Sequence, residues 1–393
     1  MQATLTSTYG SKARANGRSS LLVATILLLA IGLLMVASAS ISIAEKNFGD
    51  PWYFFTRQSL FVGLGLIAMI VGSRIPTILW SKSYAFVMLI AFALLTTVLL
   101  PGVGKSVNGS VRWLVVGPFN FQPSEFVKLA IIIFCAGYAA KRQELMRANI
   151  GGLLRPLFIV AVVGVLLLAE PDFGAAVVTT VTAMGVLFLG GCRLSHITLV
   201  GFGGLVSAVL LVISSEYRMA RLTAFLDPWQ DPFDSGFQLT QALIAFGRGE
   251  WFGVGLGASV QKLFYLPEAH TDFLFAVIAE ELGVIGAVGV ILLFAFFIGR
   301  TFAIGAAAEK NGDSFSGFLC YGIAIWFGLQ AFINVGVNMG LLPTKGLTLP
   351  LMSYGGSSML TMCFAVGILF RVESEIRRPI FQHKPDATRW VNV

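Results

Sequence analysis

Asp272 stands where a polar loop gives way to an apolar run, in the segment LFYLPEAHTDFLFAVIAEELG at 263–283. A carboxylate at such a border has low dielectric on one side and water on the other, so small changes around it tune its protonation; this suits proton transfer. Glu125 and Lys128 lie three residues apart at the start of another apolar run and share one helical face, so they can pair across a turn. Such a pair either orients its span or takes part in the site. Asp172, in EPDFG, either does chemistry or caps the helix that follows, and Glu170, two residues earlier, points elsewhere. Glu280 and Glu281 fall eight and nine residues after Asp272, more than two helical turns on at roughly 1.5 Å per residue; one of them is expected to meet a polar partner from another span. His270 either orients the acid, binds substrate or is a solvated interfacial residue.

The elements that must position these groups are membrane spans. Of the 393 residues 56% are hydrophobic and 12% charged, and the mean hydropathy is +0.82, a surface no soluble domain of this size tolerates. Apolar runs near 20–43, 60–71, 84–100, 126–140, 157–169, 174–191, 196–214, 272–298, 318–340 and 357–370 predict an all-α polytopic membrane protein with about ten transmembrane helices. With both termini cytoplasmic, the inner loops collect most of the basic residues, among them Arg74, Lys82, Lys141, Arg142, Arg193, Arg300 and Lys310. That asymmetry accounts for the net charge of +7 and gives no sign of nucleic-acid binding. The expected organisation is a tail at 1–19, one membrane domain at 20–371 and a second tail at 372–393. Four cysteines without paired spacing indicate neither a disulfide frame nor a metal cluster.

Three loops share the outer face. The longest, 215–271, carries Trp229, Trp251, Phe252 and Tyr265 and is expected to form short interfacial helices. The loop at 101–123 carries Asn108, Arg112 and Trp113. The third, LLPTKGLTLPLMSYGG at 341–356, has prolines that break any helix and glycines that permit close backbone approach around Lys345 and Ser353.

The runs NVGVNMGLLPTKGLTLPLMSYGGSS, LPEAHTDFLFAVIAEELG, NGSVRWLVVGPFNFQPSEFVKL and EPDFG together make the chain resemble the FtsW/RodA/SpoVE (SEDS) family over nearly its whole length, with PTKGLTLP closest to the division branch. The resemblance implies a peptidoglycan glycosyltransferase of the bacterial inner membrane, acting at the division septum. It would polymerise lipid II outside the membrane beside a class B penicillin-binding protein and other division membrane proteins. It carries Asp272 over as the essential acid, and Arg112, Trp113, Glu125, Lys128, Asp172, Lys345 and Ser353 as matching motif positions; His270 is kept as a substrate-binding candidate.

For that chemistry, an α-linked lipid diphosphate becoming a β-1,4 glycan needs one inverting displacement and one base, while the diphosphate leaves without a proton. Asp272 fits the base. Arg112, Lys345, Arg218 and Arg221 are outer cations for the leaving group; no cofactor is evident, and a divalent cation, Mg2+ or Mn2+, is an alternative neutraliser. The rival classes are a lipid II transporter or flippase and a non-catalytic division scaffold in which Asp272 merely starts a helix.

Overall fold

The computed structural model describes residues 2–107, 110–117, 119–234, 236–263 and 265–377, with side chains described from Ser20 onward except at 107, 116, 119, 208, 211 and 216–218. Asn108, the side chain of Arg218, and the tail beyond Arg377 lie outside the described residues. Three helices come first: α1 (Gln2–Phe48), α2 (Tyr53–Arg74) and α3 (Thr77–Leu99). A small sheet of β1 (Gly104–Val107), β2 (Ser110–Val116) and β3 (Phe119–Phe121) follows. Then come α4 (Pro123–Ala148), α5 (Ile150–Ala169), α6 (Phe173–Leu189), α7 (Leu194–Ile213), α8 (Glu216–Leu226), α9 (Phe237–Gly249), α10 (Leu274–Lys310), α11 (Ser314–Asn338) and α12 (Gly356–Arg377).

The expected apolar runs fall on α1 to α7 and α10 to α12, and α8 and α9 occupy the long loop. Among the described residues seven helices are long and apolar enough to cross a membrane, and α6 and α7 are shorter apolar helices. The chain is thus a multi-pass, helical membrane protein. The sheet is an addition to the all-α expectation. It is antiparallel in the order β1-β2-β3, with Lys105 opposite Trp113 and Leu114 opposite Phe121, and it gives the loop after α3 a fixed frame.

Local chemistry sets the helix ends. Pro76 separates α2 from α3, and Pro123 opens α4, where a missing N–H costs nothing. Asn149 caps α5 by accepting from the Gly151 N–H at 3.2 Å, and Asp313 caps α11 by accepting from the Ser316 N–H at 3.1 Å. α4 is the hub of the bundle, buried along nearly its whole length from Pro123 to Ala139. α12 lies against α2 so closely that a Cβ on Gly367 would stand 2.2 Å from the Met69 carbonyl oxygen; small residues let the backbones meet where lipid supplies no hydrophobic drive.

α10 is not the unbroken span expected over 272–298. It breaks at Gly283, whose φ of 67° and ψ of −169° lie outside the helical region. The long loop threads into the break. Val254 and Gly255 donate their N–H groups to the carbonyls of Glu280 and Glu281 at 2.9 and 3.1 Å. Val284 and Ile285 donate to the carbonyls of Glu250 and Trp251 at 2.9 and 3.2 Å. Four backbone groups orphaned by the break therefore find partners, as they must in an apolar bundle. Close approach demands glycine at Gly249, where a Cβ would sit 1.9 Å from the Ala279 carbonyl oxygen.

Candidate active site

Asp272 sits two residues before α10, only partly exposed. Its backbone is gripped from α11: the side-chain amides of Asn334 and Asn338 donate to the Asp272 carbonyl at 2.8 and 3.0 Å. Its carboxylate faces the loop after α11, where a Cβ on Gly346 would lie 3.1 Å from Asp272 Oδ2, so glycine leaves the acid room. Burial and then the Glu268 charge push the Asp272 carboxyl up to about 7, against the pull of Arg221 and Arg112; Asp172 adds a smaller upward push. A carboxylate in that range is ionised for much of its time near neutrality and still basic enough to take a proton.

Arg112 projects from β2 onto the turn between α5 and α6. Its Nε donates to the Glu170 carbonyl at 3.1 Å, and one terminal nitrogen donates to the Pro171 carbonyl at 2.7 Å and to Ser110 Oγ at 3.0 Å. Trp113, the next residue on the strand, pairs with Lys105, and the register with β1 slips between it and Val111, so Arg112 is the extra residue of an irregularity in the ladder. Beneath Arg112 the Glu170 side chain is fully buried, and neither carboxyl oxygen has a partner among the described residues. Burial and the Asp172 charge push it up to about 8 against the downward pull of Arg112, so the acid is largely protonated at neutral pH.

Asp172 takes up the capping role: its Oδ1 accepts from the Ala175 N–H at 3.0 Å, while Oδ2 accepts from Ser124 Oγ at 3.3 Å and Gln122 Nε2 at 3.4 Å. Lys345, partly exposed, lies with its ammonium 4.5 Å from the centre of the Phe173 ring, and Arg221 of α8 donates to the neighbouring Thr344 carbonyl at 3.3 Å. Arg112, Asp172, Lys345 and Asp272 thus come from four connecting segments to one end of the bundle.

The Glu125–Lys128 pair closes at 2.8 Å between two buried side chains. Lys128 also donates to Gln330 Oε1 at 3.0 Å, and Gln330 Nε2 donates onward to the Thr348 carbonyl at 2.9 Å. The pair therefore braces the loop at 341–356 from below. Ser353 is likewise buried, its Oγ accepting from the Leu349 N–H at 2.9 Å, so it holds a turn of that loop and does not line its outer surface.

His270 is buried, not solvated. Its ring lies 4.3 Å from the Phe54 ring of α2 and 5.4 Å from that of Tyr354, and its carbonyl accepts from the Tyr354 N–H at 3.0 Å. Burial lowers its pKa, with Glu268 pulling the other way. It ties the acid turn to the 341–356 loop. Glu280 and Glu281 of α10 both have partners: Glu280 accepts from the Val260 N–H at 3.1 Å, and Glu281 meets Lys262 at 2.9 Å and Ser38 of α1 at 2.7 Å. They anchor the long loop below the acid.

Gln330, Asn334 and Asn338 carry the support of the site, and sequence reasoning passed over them as parts of an apolar span. The available signal was three amides at i, i+4 and i+8, one stripe of a helix.

A family model described as "Cell cycle protein" (FtsW/RodA/SpoVE) matches residues 18–378. The probable peptidoglycan glycosyltransferase FtsW of Thioalkalivibrio sulfidiphilus is 56% identical over 355 residues, covering 90% of this chain and 89% of that protein. The same-named protein of Nitrosococcus halophilus is 55% identical over 359 residues, 91% of this chain and 92% of its own length. A chain from the structure described as "Structural coordination of polymerization and crosslinking by a peptidoglycan synthase complex" superposes with a TM-score of 0.73 at 28% identity, covering 91% of this chain and 98% of that one. The Thermus thermophilus rod shape determining protein RodA gives 0.67 at 27% identity, covering 91% and 97%. With a family match over nearly the whole chain and relatives above half identity, the chain belongs to the FtsW/RodA/SpoVE family.

Proposed function

We propose that this chain polymerises lipid II by inverting displacement, with Asp272 as the general base. Its curated relatives are named as peptidoglycan glycosyltransferases, and this chain is an enzyme of that class. The observation that carries the base assignment is the position of the Asp272 carboxylate, facing Gly346 of the loop that also bears Lys345, and burial that pushes it up to about 7 suits the role. The acceptor 4-hydroxyl gives its proton to Asp272 as its oxygen attacks the anomeric carbon, and the bond to the lipid diphosphate breaks on the opposite face. Lys345, Arg112 and Arg221 face the charge that develops on the diphosphate.

Among the described residues no group of three or more His, Cys, Asp or Glu side chains could hold a metal ion, so Mg2+ or Mn2+ would enter with the diphosphate as its principal ligand. The wider reading has ten crossings with both termini in the cytoplasm, residence in the inner membrane at the septum, and a class B penicillin-binding protein with other division proteins as partners. The likeness to a chain of a peptidoglycan synthase complex supports the transpeptidase partner. Purified protein given labelled lipid II, with and without that partner, tests the whole reading. Glycan polymer that disappears with Asp272→Asn supports the enzyme; translocation without polymer supports a transporter, and neither supports a scaffold.

A further inference from the structure

The outer half of α11 bears three buried amides in one stripe, Gln330, Asn334 and Asn338, in a helix that is otherwise apolar. Amides in a membrane bundle are costly unless their hydrogen bonds are made. Here the NH2 group of each donates to a backbone carbonyl of a connecting segment, while the amide oxygens of Gln330 and Asn338 accept from Lys128 of α4 and from the start of α10. Gln330 holds the Thr348 carbonyl at 2.9 Å. Asn334 holds two carbonyls from segments far apart in sequence, Asp272 at 2.8 Å and Leu347 at 2.6 Å. Asn338 donates to the Asp272 carbonyl at 3.0 Å and accepts from the Ala276 N–H at 3.0 Å, which satisfies an orphan donor in the first turn of α10.

We propose that Asn334 is a positioning residue for glycosyl transfer: its amide, bridging the carbonyls of Asp272 and Leu347, sets the distance between the base and the loop that carries Lys345. One side chain is thereby common to the group that takes the proton and the segment that meets the leaving group. The inference rests on Asp272 being the base. Asn338 serves as the internal comparison, because it grips the same Asp272 carbonyl and starts α10, while its side-chain hydrogen bonds go to Asp272, Ala276 and Asn334 and not to the 341–356 loop.

The two residues separate positioning from mere stability. Asn338 makes more hydrogen bonds than Asn334, including one to the Asn334 carbonyl at 2.8 Å, so a purely structural role ranks Asn338→Leu as the more damaging change in both melting temperature and rate. Positioning predicts a crossed order. Asn338→Leu loses more melting temperature, whereas Asn334→Leu loses more kcat, about 10- to 100-fold for a base displaced by a fraction of an ångström to an ångström. The acidic limb of its pH–rate profile also moves, because the carboxylate changes its distance to Gly346 and the arginines.

The measurement uses the full chain in lipid nanodiscs with its transpeptidase partner, labelled lipid II as substrate, and thermal midpoints taken on the same samples. Asp272→Asn is run alongside: polymer from that variant defeats the base assignment itself, whereas its inactivity together with wild-type kcat and pH limb in Asn334→Leu defeats only the positioning role. Loss of kcat that follows loss of melting temperature across both variants also overturns it. Should Asn334→Leu fail to fold, Asn334→Gln carries the test, since it keeps the amide and lengthens the bridge by one methylene. Reduced kcat at wild-type melting temperature supports the proposal, and unchanged kcat overturns it.

Discussion

Lys345 holds its ammonium 4.5 Å from the centre of the Phe173 ring, so the loop after α11 rests on the residue that follows the Asp172 cap. The ring orders a long flexible side chain and fixes where its charge lies. Lys345→Ala is expected to weaken lipid II use about 10-fold or more, the scale of a charged hydrogen bond, with binding of the transpeptidase partner intact. Phe173→Leu should copy it weakly, about 2- to 5-fold, because only the cation–π contact is lost. Rates over a range of lipid II concentrations decide the matter, and unchanged dependence in Lys345→Ala removes the lysine from the leaving-group role.

Asp272→Asn keeps the shape of the acid and loses its basic oxygen; polymerisation should fall by at least about 10²- to 10⁴-fold while insertion and partner binding persist. Asp272→Glu should be nearly as poor, since about one methylene moves the oxygen out of hydrogen-bond reach. The wild-type rate should rise with pH through an acidic limb near 7, where the carboxyl loses its proton. Stability runs the other way. The folded-state pKa is raised, so between about 4 and about 7 the unfolded chain has already released a proton that the folded chain retains, and the burial cost is complete above that window. Asp272→Asn should therefore melt higher than wild type at pH 8 and show no such gain at pH 4.

The same limb reports the neighbouring charges. Glu268 pushes the Asp272 carboxyl up and Arg221 holds it down, so Glu268→Gln should move the limb to lower pH and Arg221→Gln to higher pH. A pH–rate series on the two variants that moves in one common direction, or not at all, would separate the limb from Asp272.

Replacing Lys128 by Met leaves Glu125 buried without its cation and takes a donor from Gln330; a loss of about 3–5 kcal/mol is expected. The exchanged pair, Glu125→Lys with Lys128→Glu, should recover part of the melting temperature but little polymerisation, because Gln330 no longer receives an ammonium and the Thr348 contact is released. Wild-type melting and activity in both variants would refute the bracing role.

The positions of the helices were legible because about twenty apolar residues in a row leave the chain few options in lipid. Neighbours in sequence were legible too. The three-residue spacing of Glu125 and Lys128 announced their pairing, and Asp172 before an apolar run announced a cap, since both depend only on helix geometry. Tertiary structure alone decided the rest. The break at Gly283 exists because residues 250–255 supply its missing hydrogen bonds, and an apolar run by itself carries no mark of such a visitor. Ser353 turned inward to a backbone N–H, and His270 was buried between two aromatic rings, by contacts that no local pattern records. The environment that brings Asp272 near neutrality draws on Arg112 and Asp172 from the first half of the chain, and its grip comes from Asn334 and Asn338, some sixty residues later. Electrostatics and buried hydrogen bonds depend on distance in space, so the sequence could name the acid while only the closed bundle could set its proton affinity and its aim.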